Sequence, residues 1–182
     1  MPITVDVEKL LRTDVLAGAG PGRRALARLQ EAISEAQHSD TYIFDFSGVA
    51  IVTGSFIAQG FVPVWVEIQA ARAIVAMTAI PDGFEDDFAF GMSRAGLHIW
   101  LLRDGMPAVA FPELDDVGRE TLSEVQIARE ATANELSSRN KHGATAWSNR
   151  LSALWRTGLL LREKRGKQFV YRAPFDKEVV RG

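Results

Sequence analysis

Cysteine is absent from this 182-residue chain, and histidine occurs only three times. Without cysteine there are no disulfides, thiolate metal sites or thiol catalysis. His38, His98 and His142 do not stand at metal-ligand spacing, so we predict no metal site. No apolar run is long enough to span a membrane, and we expect a cytoplasmic protein that makes no membrane contact. The chain has neither a Ser–His–Asp arrangement nor a complete phosphate-binding fingerprint, so we predict no cofactor and no enzymatic activity.

The charge of the chain is unevenly distributed. Residues 1–118 carry 8 Lys and Arg against 16 Asp and Glu, whereas residues 141–182 carry 10 against 3. Such a positive segment indicates a polyanionic partner, because phosphate contacts need clustered cations. A solvated charged face is the alternative interpretation.

The hydrophobic fraction of 47% supports packed cores, and the length allows one large domain or two small ones. Pro107 and Pro112 bracket a short apolar segment, and the acidic pair at 115–116 suits the start of a helix. We therefore predict two domains, at residues 1–112 and 113–182.

Strand and helix patterns alternate in the first domain, which predicts an α/β sandwich with a mixed sheet and helices. The predicted helices are 23–36, one starting near Ser55 that Pro63 ends or kinks, and one through Phe84, Phe88, Met92 and Ala95. The predicted strands are 3–7, 42–46, a central buried strand at 73–80, and a hairpin of 97–103 and 106–111 about a two-residue turn at Asp104–Gly105.

Residues 42–57, YIFDFSGVAIVTGSFI, resemble the central segment of STAS domains, the fold of anti-sigma-factor antagonists. The resemblance extends over about residues 1–105 and implies a STAS-like fold. In phosphorylated antagonists an Asp precedes the acceptor Ser at this loop. Here Thr53 and Gly54 stand at those two places and Ser55 follows one step later, so we predict no phosphorylation switch.

Three polar features of the first domain have structural interpretations. We predict Ser55 to be a helix N-cap, with a regulatory phosphosite as the alternative. Asp45 is interpreted as a hydrogen-bonded structural carboxylate, with a functional site residue as the alternative. The glycine-rich segment 18–22 is predicted to be a flexible loop rather than a phosphate cradle, because no Lys–Ser/Thr pair follows it.

The second domain shows two short helical segments, 132–139 and 144–157, followed by a basic hairpin at 161–172. Thr132 and Glu135 stand at capping-box spacing. Trp147, Leu151, Leu154 and Trp155 form an apolar stripe that should be buried. Gly158 should end the second helix. The pattern fits a helix–turn–helix with a β-ribbon wing.

The polar side chains of the second helix and of the hairpin are the candidate DNA contacts. Short polar side chains suit base edges in the major groove, and the basic hairpin suits phosphates or the minor groove. The predicted contact residues are Thr145, Ser148, Asn149, Arg150, Ser152, Arg156, Arg162, Lys164, Arg165 and Lys167. His142 is a further candidate for a phosphate contact from the turn.

Residues 117–173 resemble winged-helix regulators of the broad class that includes metal-sensing and multidrug-resistance repressors. The run from Asn149 to Leu160 carries this resemblance. It implies a transcriptional regulator that binds double-stranded DNA as a homodimer reading two half-sites. The first domain would supply the dimer interface, a sensor pocket or a surface for a protein partner. The alternative hypothesis is a STAS-type signalling adaptor that does not bind DNA sequence-specifically.

Overall fold

The computed structural model describes residues 2–35 and 39–175. In chain order the elements are β1 (Ile3–Asp6), α1 (Val7–Leu11), β2 (Val15–Leu16), α2 (Ala19–Glu35), β3 (Thr41–Asp45), β4 (Ile51–Val52), α3 (Gly54–Phe56), a π-helical turn (Ile57–Phe61), α4 (Val62–Ala70), β5 (Ile74–Thr78), α5 (Glu85–Ser93), β6 (Ile99–Leu102), β7 (Val109–Phe111), α6 (Asp116–Ala128), β8 (Glu130–Ala131), α7 (Ala133–Arg139), α8 (Ala144–Arg156), β9 (Leu161–Arg165) and β10 (Gln168–Arg172). The predicted α/β class with a mixed sheet is confirmed.

The central sheet has the strand order β1-β3-β5-β6-β7, in which only the β6–β7 pair is antiparallel. The central strand predicted at 73–80 is confirmed as β5, which is buried over most of its length. The hairpin formed by β6 and β7 is also confirmed. Its connection is longer than the predicted two residues, since β6 ends at Leu102 and β7 begins only at Val109. Pro107 lies in this connection and has no amide hydrogen for a strand ladder.

One face of the sheet is covered by α2, the π-helical turn, α4 and α5, and an aromatic cluster fills the space between them. The rings of Phe44 and Trp65 meet edge-on at 5.7 Å between centroids, and those of Phe46 and Phe88 at 4.9 Å. Such aromatic pairs add to the stabilisation from apolar burial. This core holds these helices on the sheet. The elements from β1 to β7 are called the first part of the chain below.

The opposite face of the sheet is covered by the C-terminal elements, which run from α6 to β10. Alternate residues of a strand point to opposite faces, so Ile74 and Trp100 lie away from the aromatic cluster. They belong to a second core cluster that also contains Leu122 of α6 and Trp147 of α8. The two parts of the chain are therefore joined by a shared core, and the predicted division into domains at 112–113 stays a prediction.

The loop predicted at 18–22 is wrong, because α2 already begins at Ala19. Pro21 is compatible with the first helical turn, where an amide hydrogen has no acceptor within the helix. Gly22 is buried there, and a Cβ atom at this position would lie 2.9 Å from the carbonyl oxygen of Phe56. Gly22 is therefore needed for the close approach between α2 and α3, and it does not form a flexible loop.

Thr53, and not Ser55, caps the helix that follows β4. The Thr53 Oγ1 accepts hydrogen bonds from the amide of Phe56 at 3.4 Å and from that of Gly18 at 3.0 Å. Ser55 lies within the first turn, with its exposed hydroxyl 3.2 Å from the Thr53 Oγ1. Pro63 does not end the helical segment. A π-helical turn precedes α4, and α4 continues through Pro63 to Ala70.

Removal of each hydroxyl in turn tests which of the two residues caps the helix. Thr53→Ala is expected to lower the free energy of unfolding by about 0.5–2 kcal/mol, because the Gly18 amide loses its acceptor and the Phe56 amide keeps only the Thr53 carbonyl. Ser55→Ala, the matched control, should change stability much less. Urea denaturation followed by circular dichroism measures both. A larger loss in Ser55→Ala than in Thr53→Ala would contradict this assignment of the cap.

Candidate nucleic-acid interface

A capping box begins α7, as the sequence predicts. The Thr132 amide donates to the Glu135 carboxylate at 2.7 Å, and the Glu135 amide donates to the Thr132 hydroxyl at 3.2 Å. The hydrogen bonds from Thr132 hold the pKa of Glu135 below its usual range. The stabilisation is therefore complete above the ordinary Glu pKa and is lost as the pH falls through the lowered value.

The second helix of this region, α8, buries one face and exposes the other. Trp147, Leu151 and Leu154 are buried as predicted, whereas Trp155 is only partly buried. Gly158, with φ +73°, follows the helix and lets the Leu159 amide donate to the Leu154 carbonyl at 2.9 Å. The helix is thus fixed against the second core through its apolar stripe.

The six predicted contact residues of α8 fall into two groups. Thr145, Ser148, Asn149 and Arg156 are exposed. Arg150 and Ser152 instead make contacts within the protein, which the apolar periodicity of the helix does not predict. The exposed group leaves a polar surface along the side of α8 that is not buried.

Arg150 holds α8 against α6. Its guanidinium donates to the Glu120 carboxylate at 2.9 Å and lies 5.2 Å from the centre of the Trp147 ring. Only 18% of the Arg150 side chain is exposed. Ser152 has a comparable role on the other side, where its hydroxyl lies 3.2 Å from that of Tyr171 in β10. Neither side chain is free to reach a base edge in this conformation.

The basic hairpin is present as β9 and β10, joined at Gly166 and Lys167. Gly166 has φ +63°, a conformation that favours glycine in a tight turn. A third strand, β8, pairs with β10 through Ala131 and Tyr171. Sequence reasoning missed β8 because two residues are too few to show a strand period. The hairpin is thereby tied to the segment that precedes α7.

The four predicted cations of the hairpin have different environments. Arg165 donates to Glu130 at 2.8 Å and to Glu163 at 3.1 Å, and these hydrogen bonds raise its pKa. The guanidinium of Arg162 lies 3.3 Å from the centre of the Trp155 ring and 4.2 Å from that of Phe169. Such cation–π contacts make Arg162 part of the packing between hairpin and helix.

Of these four predicted cations, Lys164 and Lys167 remain without a carboxylate or ring partner among the described residues. Both are exposed, and neither has an ion-pair partner among residues 2–35 and 39–175. Unpaired lysines at a hairpin tip suit phosphate contacts, since the ammonium group need not leave a protein carboxylate.

A contact that sequence reasoning missed links the first part of the chain to the hairpin. The guanidinium of Arg72, just after α4, lies 4.5 Å from the centre of the Trp155 ring. The Arg162 guanidinium contacts the same ring. In addition, a Cβ atom at Gly158 would lie 2.9 Å from the Gln69 side chain. No signal in the sequence pairs these residues, because the contacts arise only when α8 packs against the end of α4.

The remaining candidate residues have structural environments. Asp45 accepts from the Ser47 amide at 2.9 Å, consistent with a structural carboxylate. His98 places Nδ1 2.8 Å from the Pro112 carbonyl oxygen. His142 is exposed, and its ring meets that of Trp147 at 6.3 Å. His38 lies outside the described residues. Within the described part of the chain, no three His, Asp or Glu side chains form a group suited to a metal ion.

Comparison of the chain with protein-family models, curated proteins and solved structures finds no match. Among the helices of residues 2–35 and 39–175, none has the length and hydropathy of a membrane-spanning segment.

Proposed function

We propose that this chain is a DNA-binding transcriptional regulator whose C-terminal part is a winged helix–turn–helix. The observation that carries the proposal is the exposed polar surface of α8, with Thr145, Ser148 and Asn149, on a helix that packs against a hairpin with two unpaired lysines. Short polar side chains on a helix suit base edges, and lysines on an adjoining ribbon suit phosphates.

The order of the C-terminal elements supports this proposal. The helices α6, α7 and α8 are followed by the β9–β10 hairpin, and β8 completes a three-stranded sheet. In helix–turn–helix proteins the second helix of the motif enters the major groove, which assigns that role to α8. The excess of cations in residues 141–182 supplies the attraction to a polyanion.

The first part of the chain has a supporting role in this proposal, as a STAS-like module. It would provide homodimer contacts, which would place two α8 helices on two half-sites, or a surface for a protein partner. Its aromatic core and the shared core below the sheet make it a rigid base for α8. No phosphorylation switch at Ser55 is needed for this role.

A protein-interaction adaptor is the second candidate function. It is favoured by the carboxylates that already occupy two of the predicted DNA-binding cations, Glu120 at Arg150 and Glu130 at Arg165. These ion pairs lower the net positive charge of the surface that would face DNA. An adaptor would use the same polar helix face for a protein partner.

Selection of bound sequences from random duplex DNA, with the full chain, distinguishes the two functions. A regulator is expected to enrich one motif, which two-fold symmetry would double if the chain is dimeric. Absence of enrichment, together with no duplex binding at low salt, would contradict DNA binding and favour the adaptor.

Substitutions on α8 should separate base recognition from positioning. Asn149→Ala is expected to change the selected sequence and to cost about 1–3 kcal/mol on the preferred site, as the loss of a base contact does. Ser148→Ala should act in the same direction. Fluorescence anisotropy with the selected duplex and with single-base variants measures the preference.

Arg150→Ala is the comparison variant on the same helix. The sequence alone predicts a base contact for Arg150, but its ion pair with Glu120 and its contact with Trp147 predict a loss of stability instead. A changed base preference in Arg150→Ala, with unchanged preference in Asn149→Ala, would show that a different side of α8 faces the DNA.

A further inference from the structure

A cleft of about 490 Å³ lies at the β7 edge of the sheet, beside α6 and away from the polar face of α8. One wall is formed by residues of β6, β7 and their connection. The other wall is one face of α6, because Arg119, Leu122, Ser123 and Gln126 follow one another at helical spacing. Small-molecule sites have volumes of about 300–1,000 Å³ and often lie where two parts of a protein meet. The cleft has both properties.

Gln126 is the polar group that distinguishes this cleft. It lines the cleft, and its Nε2 atom is buried without a hydrogen-bond partner in the described part of the chain. A buried donor without a partner is destabilising, and rotation of the side-chain amide into the cleft, where a ligand supplies an acceptor, removes that cost. Much of the remaining wall is apolar and includes Leu101, Phe111 and Leu122. The cleft therefore favours an apolar body that carries one acceptor.

The charges at the cleft balance one another. Arg103 is paired with Glu85, and Arg119 with Glu113 and Asp116. Each guanidinium already has a carboxylate partner, so a ligand carboxylate would have to compete for it. A charged ligand would also lose its hydration on entering a largely apolar cleft. These contacts favour a neutral ligand over an anionic one.

We propose that this cleft binds a small neutral molecule with an apolar body and a carbonyl-type acceptor, which receives a hydrogen bond from the Gln126 amide when that amide turns into the cleft. The site is independent of the proposed DNA binding, since none of its lining residues lies on α8 or the hairpin. Its two walls come from the first part of the chain and from α6, so an occupant contacts both.

Three probes of similar shape test the proposal on the full-length, ¹⁵N-labelled protein. These are 2-acetylnaphthalene, which has a neutral acceptor, 2-ethylnaphthalene, which has none, and 2-naphthoate, which is charged. Titration followed by amide chemical shifts should show 2-acetylnaphthalene binding about 3- to 10-fold more tightly than 2-ethylnaphthalene, the difference that one hydrogen bond makes. 2-Naphthoate should bind more weakly than 2-acetylnaphthalene, and the shifts should cluster along α6, β6 and β7.

Three variants complete the test. Gln126→Leu should abolish the preference for 2-acetylnaphthalene while retaining 2-ethylnaphthalene, because it removes the donor and keeps the volume. Ala110→Leu places a larger side chain in the cleft and reduces its free volume, so it should weaken the binding of both neutral probes. Ile127→Gln, at an exposed position of the same helix, should leave all affinities unchanged. Equal affinity of the two neutral probes for the wild type, an undiminished preference in Gln126→Leu, or no binding of either neutral probe would overturn the proposal.

Discussion

Trp100→Ala is expected to lower the free energy of unfolding by about 3–5 kcal/mol, the range for removal of a buried aromatic side chain. Trp100 is fully buried in the core cluster shared by the sheet, α6 and α8, and its ring meets that of Phe175 at 5.5 Å. Removing it leaves a cavity between the sheet and the C-terminal helices. Guanidinium denaturation followed by circular dichroism measures the loss.

Two further variants make this result specific. Trp100→Phe should cost less than Trp100→Ala, because it keeps an aromatic ring and removes an indole N–H that is buried without a partner in the described part of the chain. Phe90→Ala should have little effect, because that ring is 71% exposed.

The shape of the unfolding transition tests the coupling between the two parts of the chain. Because both contribute to one core, a single cooperative transition is expected for the wild type and for Trp100→Phe. Two separate transitions, of which Trp100→Ala shifts only one, would show that the two parts fold independently and that the shared core contributes little.

Elements with a clear period and an apolar composition are the part of the fold that the sequence predicts well. The buried strand β5 and the helix carrying Phe88 and Met92 are examples, since their own residues specify the pattern. The start of α2 is different. Gly22 is typical of a loop by its local chemistry, and only its contact with the Phe56 carbonyl shows why a glycine is needed inside a helix.

The choice between Thr53 and Ser55 as N-cap has the same physical origin. The two hydroxyls are two residues apart, and either residue type is chemically suitable as an N-cap. The amide of Gly18, remote in sequence, donates to Thr53, and the Asp87 carboxylate accepts from the Gly54 amide. These long-range bonds place the first helical turn two residues earlier than an N-cap at Ser55 would.

The candidate interface shows the same limit. Capping of α7 and burial of Trp147 follow from local spacing and are confirmed. Arg150 pairs with Glu120, and Arg165 pairs with Glu130 as well as with the neighbouring Glu163. Glu120 and Glu130 are each at least 30 residues away in the chain from the arginine they bind. Counting cations along the sequence therefore overestimates how many are free to meet phosphate.

Replacing both free lysines of the hairpin, Lys164→Gln with Lys167→Gln, is expected to weaken binding to all duplexes about equally. Each phosphate contact adds about 0.9 to the slope of log affinity against log salt, so the double variant should reduce that slope by about 1.8. The preferred sequence should not change, because phosphate contacts carry no base information. Anisotropy titrations at several salt concentrations, on a selected and a random duplex, measure slope and preference together.

Arg23→Gln with Arg24→Gln is the matched control, because it removes the same charge from exposed positions on α2. This helix covers the face of the sheet opposite to the C-terminal elements, so its cations should not contact the same DNA. A short-range role for the hairpin predicts a reduced slope only in the lysine variant. Equal reductions in both variants would show that net charge alone attracts the DNA, whereas an unchanged slope in the lysine variant would place the DNA-binding surface elsewhere on the molecule.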